Sequence, residues 1–304
     1  MNENMYEILV TDDKFPNKLK SLSPTVKRFF AYGDLDLLKQ NAVTVVGSRN
    51  CSDYGKMMEK KITEELVKND IVIISGLALG IDSIAHETCI LNGGKTIAVL
   101  GSGLKNIYPK ENERLFKSII DSGGLVLSEY PIDAPVQKKN FPMRNRILSG
   151  LSNGVVVIEA TYRSGTSITA KYAKLQGKDV FCIPNSFGNK NSRGIIDLLK
   201  NGAKLVTSGD EIVQELGLEI KRKSEDSLKM KNEDLFKKLK SLGDISIKIY
   251  NLLKINEFLD CEKISQILKL DIIEINQTLT MMELEDIVQC VQINKYKLRD
   301  EYCE

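Results

Sequence analysis

The chain has 304 residues, 42% hydrophobic and 28% charged, with 43 Lys and Arg against 41 Asp and Glu and a net charge of +2. That is the composition of a soluble globular protein with chain enough for two domains. No apolar run approaches the roughly 18 residues of a membrane span, and one histidine beside six scattered cysteines leaves no Cys/His zinc pattern. The start, MNENMYEILVTDD, has no basic-then-apolar leader, so a cytoplasmic protein is expected. Neither a metal nor a cofactor is expected.

Residues 1–41 read as an extension packed on the domain that follows. From 42 to about 207, short Val- and Ile-rich runs alternate with segments of helical period. Strands are expected at 42–47, 71–75, 95–100, 124–128, 154–159, 179–183 and 204–206. Helices are expected at 54–68, 81–92, 111–121, 144–152, 164–176 and 192–201. Strands apolar throughout suit a sheet covered on both faces. The alternation predicts an α/β fold with a doubly wound, mainly parallel sheet. Gly202 stands where a helix C-cap glycine belongs.

Residues 218–240 are dense in charge and read as a solvated linker between a domain at 1–217 and another at 241–304. In the second domain helical period returns at 245–254, 261–269 and 271–285. Two short β runs follow, 287–293 and 295–299, which is the order of a winged helix.

Charge is unevenly spread. Residues 241–304 carry seven Lys/Arg and twelve Asp/Glu, a net of −5, which leaves 36 against 29, a net of +7, for 1–240. The would-be recognition helix 271–285 is worse still for a polyanion. From Leu270 to Asn294 there is no Lys or Arg, while Asp271, Glu274, Glu283, Glu285 and Asp286 are acidic. A groove reader needs cations for phosphate and usually Arg or Lys for guanine. The winged helix is therefore expected to contact protein, and a polyanion to bind the first domain.

Three loops follow strand ends: Gly47-Ser48-Arg49, Ser75-Gly76 leading to Gly80-Ile81-Asp82, and Ser164-Gly165-Thr166. In a doubly wound sheet ligands bind at that edge. The third loop opens a helix and would offer phosphate its free N–H groups. Helix capping would explain any one loop alone; three on one edge with Arg49 point to an anion site. Between them runs Asn140-Phe141-Pro142-Met143-Arg144-Asn145-Arg146, preceded by Lys138 and Lys139, with no Asp or Glu between Asp133 and Glu159. An aromatic among uncompensated cations suits a nucleic-acid strand, with a base on the ring and phosphates on the charges. A solvated basic turn before a helix is the plainer alternative.

Other motifs are decoys. Gly150-Leu151-Ser152-Asn153-Gly154 matches a hydrolase elbow, but it precedes its strand, and the one histidine, His86, lies upstream. Gly93-Gly94-Lys95-Thr96 has Cys89 where a phosphate loop needs its first glycine. Gly101-Ser102-Gly103 has Asn106 where a dinucleotide fingerprint needs its third. His86, on a helix with Ile81, Ala85 and Ile90, reads as a histidine bonding locally.

Taken together, the motifs resemble those of the DNA-processing protein A (DprA, or Smf) family. The resemblance rests on Val46-Gly47-Ser48-Arg49 with Tyr54-Gly55; Ser75-Gly76-Leu77 with Gly80-Ile81-Asp82 and Ala85-His86; and Leu100-Gly101-Ser102-Gly103 with Tyr108-Pro109. It continues through Ser128-Glu129-Tyr130-Pro131, Asn140-Phe141-Pro142 with Arg144-Asn145-Arg146-Ile147, Glu159-Ala160, and Ser164-Gly165-Thr166 with Thr169-Ala170. It spans residues 6 to 207 in order. It implies an extended Rossmann fold, a non-catalytic protein, and binding of single-stranded DNA with little sequence preference. It also implies a homodimer that protects incoming strands in natural transformation and helps load the RecA recombinase. The implied strand site comprises Arg49, Lys138, Lys139, Asn140, Phe141, Arg144, Asn145 and Arg146. The implied phosphate loops hold Gly47, Ser48, Ser75, Gly76, Ser164, Gly165 and Thr166. Leu79 replaces an arginine common in the family, and Asn185 a glycine.

One enzymatic alternative stays open. The architecture also resembles the LOG family of phosphoribohydrolases, in which Glu159 beside Ser164-Gly165-Thr166 would act as an acid on an N-glycosidic bond. Arg163-Ser164-Gly165-Thr166 lacks that family's leading glycines, and Ile168-Thr169-Ala170 supplies no carboxylate.

Overall fold

The computed structural model describes residues 5–162, 164–185, 190–221, 235–256, 258–292 and 294–299. It divides into two compact units, Met1–Lys221 and Arg222–Glu304. Most of the charged stretch expected as a linker, 222–234, lies outside the described residues, as do Arg163 and Ile293.

The first unit is built on a nine-stranded sheet. Its strands are β1 (Met5–Leu9), β2 (Arg28–Gly33), β3 (Ala42–Val46), β4 (Val72–Ser75), β5 (Thr96–Leu100), β6 (Leu125–Ser128), β7 (Gly154–Val157), β8 (Asp179–Cys182) and β9 (Lys204–Leu205). Their order across the sheet is β1-β2-β6-β5-β4-β3-β7-β8-β9. From β6 to β9 every neighbouring pair is parallel, with Val43 opposite Gly154 and Ile73 opposite Thr96. The N-terminal segment is more than a packed extension. β1 and β2 join the sheet antiparallel, with Phe30 opposite Ser128, and cover what would be an open β6 edge.

Helices α1 (Asn17–Lys20), α2 (Asp53–Lys68), α3 (Ile81–Leu91), α4 (Glu113–Asp121), α5 (Asn140–Leu151), α6 (Gly165–Leu175), α7 (Arg193–Lys200) and α8 (Gly209–Glu215) cover both faces. One core joins β3 and β7 to α5, α6 and α7 through Val46, Ile147, Leu148, Val157 and Ala170. The opposite core joins the same strands to α2, α3 and α8 through Val45, Ile62, Leu66, Ile81 and Ile212. That double cover is why β3, β4, β5, β6 and β7 are buried along their whole length. Ser52 and Ser208 start α2 and α8 by accepting the Gly55 and Glu211 N–H groups at 3.1 Å. Gly202, at φ +86°, ends α7.

The chain winds from β3 to β4 and β5 on one side, then returns to place β7 on the other side of β3. The loops after β3 and β7 therefore diverge at a topological switch point, where open α/β sheets leave a crevice.

The second unit has helical residues 235–241 (α9), then α10 (Asp244–Lys254), β10 (Leu259–Asp260), α11 (Cys261–Leu268), α12 (Ile272–Leu284), β11 (Val288–Gln292) and β12 (Lys295–Leu298). Three helices and the β11–β12 wing make a winged-helix arrangement, with Ile249, Ile264, Leu279 and Val288 in its core. Leu235 and Leu239 belong to that core, so the helical packing begins before residue 241. Among the described residues no helix is long and apolar enough to cross a membrane. Nor does any cluster of three His, Cys, Asp or Glu among them suit a metal.

Candidate nucleic-acid interface

A cleft of about 650 Å³ opens at the switch point. Its walls come from the loop after β3 (Gly47, Ser48, Arg49), the first two turns of α5 (Phe141, Arg144, Asn145, Leu148) and the start of α6 (Ser164, Gly165, Thr166). Lys138, Tyr108 and Asp82 also line it.

Helix α5 starts at Asn140, four residues earlier than the periodicity predicts. Pro142 explains the difference, because proline is tolerated in a first turn, where its missing N–H has no partner to lose. Phe141, Arg144, Asn145 and Leu148 then stand at i, i+3, i+4 and i+7, one face of the helix, and all four line the cleft. Arg146 is off that face. It is 2% exposed, holds Glu129 in a fork at 2.6 and 2.8 Å, and donates to the Pro24 carbonyl at 3.0 Å. Arg146 is thus a structural tie to the N-terminal segment, which corrects the expectation that it meets phosphate. Asn140 is buried outside the cleft wall, and Lys139 is exposed beside it.

Arg144 lies between the two roles. It is 5% exposed, yet it reaches the cleft. Its Nη1 donates to the Gly76 carbonyl at 2.7 Å and to the Val99 carbonyl, and its Nε donates to Asn145 Oδ1 at 3.2 Å. Burial, then the charge of Arg49, pulls it down to about 10, which still leaves it cationic at neutral pH. Asp82 offers its Oδ2 to the Gly76 N–H at 3.1 Å, and burial raises its pKa against the attraction of Arg144. A side chain at Gly76 would collide with both, its Cβ falling 2.4 Å from Arg144 Nη2. Gly76 is therefore fixed by packing between two charged groups.

Ser75 is corrected too. It is fully buried, and its hydroxyl donates to the Val45 carbonyl at 2.7 Å, tying β4 to β3 instead of facing a ligand. Gly47 lets α3 approach, since a Cβ there would lie 2.5 Å from Ile81. Its carbonyl accepts the Thr166 hydroxyl at 3.0 Å, and Asn145 Nδ2 donates to the Gly165 carbonyl at 3.1 Å. These two bonds lock the β3 loop, α5 and the N-terminus of α6 together. A Cβ at Gly165 would meet nothing within 4 Å, so the backbone there is open to a ligand. Gly80, at φ +79°, lets its loop cross under the Ser48 and Arg49 carbonyls.

Electrostatics favour an anion. Arg49 and Lys138 are exposed on the cleft wall. The N-termini of α5 and α6 both lie at the cleft. Two lysines, Lys178 half-buried and Lys18 exposed, hold the far end of α5. Lys178 Nζ donates to the carbonyls of Ser149 at 2.8 Å, Gly150 at 2.7 Å and Ser152, and Lys18 Nζ to that of Leu151 at 3.3 Å. Cations at the carbonyl end stabilise a helix dipole, although burial pulls Lys178 down to about 8.

Tyr108 was missed as a site residue, although the Tyr-Pro pair stands among the motifs. Its ring lies 5.5 Å from that of Phe141, tilted by 47°. A Cβ at Gly101 would come 2.8 Å from the Phe141 ring, so Gly101 makes room for it. Both enzymatic candidates turn inward. Glu159 is fully buried and accepts from Ser52 N at 2.9 Å, from the Ser52 hydroxyl, and from Asn191 and Asn185 at 2.9 and 3.3 Å. It ties β7 to the start of α2 and is no part of the cleft wall. His86 is buried with Nδ1 2.7 Å from Thr96 Oγ1, and burial drives it down to about 3, so it stays neutral.

Residues 7–217 match the model of a family described as DNA recombination-mediator protein A. The chain is 48% identical over 207 residues to the DNA processing protein DprA of Streptococcus pneumoniae, covering 68% of this chain and 72% of that one. It is 42% identical to the Protein Smf of Escherichia coli over 212 residues, covering 69% of this chain and 57% of that one. It thus spans little more than half the length of the Escherichia coli relative. The crystal structure of the Streptococcus pneumoniae protein matches with a TM-score of 0.66 at 46% identity, covering 70% of this chain and 75% of that one. The DNA processing protein A of Helicobacter pylori, whose structure concerns its single-stranded DNA binding mode, matches with a TM-score of 0.63 at 30% identity, over 70% and 95%. The chain belongs to the DNA recombination-mediator protein A family, also called DprA or Smf.

Proposed function

We propose that this protein binds single-stranded DNA, without catalysis, in the cleft at the switch point. The observation that carries the reading is the pairing of exposed cations, Arg49 and Lys138, with the Phe141 and Tyr108 rings in one cleft. Backbone phosphates meet Arg49, Lys138, the cleft side of Arg144 and the open N–H groups at Ser164–Thr166. A base stacks on Phe141, the arrangement that single-strand binders use. The Helicobacter pylori relative, studied for its single-stranded DNA binding mode, supports the same ligand. From family membership we further propose a cytoplasmic homodimer that protects incoming strands during natural transformation and helps load RecA.

Fluorescence anisotropy with a labelled single strand across a salt series, competed with duplex of equal length, tests the binding. Salt-sensitive affinity with a strong preference for the single strand is expected, with a log–log slope of roughly −0.7 per phosphate contacted. Equal competition by duplex, or no binding at low salt, would sink the proposal.

A further inference from the structure

The second unit leaves much apolar surface uncovered. Nine large apolar side chains are exposed among its described residues, against ten in a first unit with more than three times as many described residues. Single exposed side chains of this kind are ordinary, but a contiguous stripe is not. On α12 they form a stripe. Ile273, Gln277, Thr280, Met281 and Leu284 recur at i, i+4, i+7, i+8 and i+11, which is one side of the helix. Ile273 is 63% exposed, Met281 50% and Leu284 74%, while Ile275, Leu279 and Met282 on the opposite side fill the core. In a winged-helix groove reader this helix is the one that enters the groove, so its outer side is the side offered to a ligand.

Charge decides which ligand. At about 100° per residue, Glu274 flanks the stripe on one side and Glu283 on the other. Neither carboxylate has an ion pair among the described residues, and Glu283 accepts the Cys290 N–H at 3.2 Å. The cations near the end of α12 are committed elsewhere, Lys238 to Glu285 at 3.7 Å and Arg299 to Asp286 at 2.6 Å. Phosphate is repelled by such a face. A second copy of α12 fits no better, because with both flanks acidic any pairing of two stripes sets acid against acid. A helix with its own apolar stripe between lysines or arginines fits both features. It covers the aliphatic side chains and neutralises the flanking carboxylates.

We propose that the outer face of α12 is a docking site for a basic amphipathic helix of a partner protein. The site is separate from the cleft of the first unit and does not depend on the single-strand reading.

The probe is a labelled peptide, Leu-Lys-Lys-Leu-Leu-Lys-Leu repeated twice, titrated with the full chain by anisotropy at about 0.15 M salt. The comparison peptides are the same sequence with Glu for every Lys, and a shuffled basic peptide with no apolar stripe. Wild type is expected to bind the basic amphipathic peptide about tenfold more tightly than either, a factor worth about 1.4 kcal/mol. Ile273→Gln combined with Leu284→Gln should remove that advantage and leave the thermal midpoint in place, since both side chains are exposed. Glu274→Lys should weaken the basic peptide about threefold, the size of an exposed ion pair. Equal affinity for the acidic peptide, an affinity untouched by these variants, or no binding by the full chain overturns the site. Self-association of wild type in sedimentation that the double variant abolishes would give the face to a second copy and overturn the partner helix.

Discussion

Arg49 and Arg146 carry the same guanidinium, fall in two motifs of the same family and belong to the same unit, yet the fold uses them oppositely. Arg49 stands exposed on the cleft wall, on a loop held from below by Gly80. Arg146 is buried and committed to Glu129 and the Pro24 carbonyl. Arg144, two residues away on the same helix, is nearly as buried but still lines the cleft. The motif therefore has two faces interleaved at helical period, one lining the cleft and the other tied to the N-terminal segment at Pro24. A count of positive charge overstates the charge a phosphate can reach.

The contrast is sharpest at Arg146. Arg146→Ala leaves Glu129 without its fork and the Pro24 carbonyl without its donor. Removing one partner of a buried pair costs about 3 kcal/mol or more. The expected outcome is a large drop in denaturant midpoint with strand affinity and salt slope of the folded protein unchanged. If Arg146→Ala flattened the salt slope instead, the division of the helix into two faces would be wrong.

Arg49→Ala should do the reverse. A charge-assisted contact to phosphate is worth about 2 kcal/mol, and its loss should flatten the salt slope by roughly 0.7. Thermal stability should hold, because no ion pair of Arg49 is present among the described residues to be broken. Titrating the variant at two salt concentrations separates these effects.

Phe141→Ala is expected to weaken binding by about 1 kcal/mol, the lower end for a stacked base, since the Tyr108 ring remains beside it. No charge is lost, so the slope should stay as in wild type. A flattened slope in this variant would mean that the ring positions a cation and does not stack.

How much of this was legible in the sequence follows from what each signal measures. The parallel strands were readable because burial on both faces forces continuous Val and Ile, as in Val43-Thr44-Val45-Val46. β1 and β2 were not, because strands joining antiparallel at the sheet's end expose residues such as Arg28 and Glu7, whose ion pair at 3.0 Å looks in sequence like loop polarity. The cleft loops were readable as small residues at strand ends. The fates of Ser75 and Arg146 were not, because a serine hydroxyl or a guanidinium has the same letter whether it meets a carbonyl or a phosphate. The start of α5 was missed because Pro142 signals a break to a periodicity reading, while the structure places it in a first turn. With the start corrected, the spacing of Phe141, Arg144, Asn145 and Leu148 would have assigned the faces.

The winged-helix unit gives the weakest expected effect and the widest test of the comparison. Its architecture is one that many DNA readers use, but α12 carries Glu274 and Glu283 and no cation between Leu270 and Asn294. Counterion release needs Lys or Arg against phosphate, and this helix offers the opposite charge. A chain ending at Lys221 should therefore keep the strand affinity and salt slope of the full protein to within about twofold at 0.15 M salt. Weaker binding by the shortened chain would show that fold outweighs charge here and that the wing touches DNA. Tighter binding would show that the acidic unit repels the strand. An unchanged titration would leave the cleft residues of the first unit as the source of the affinity, with the exposed Ile273, Met281 and Leu284 of α12 facing some other kind of partner.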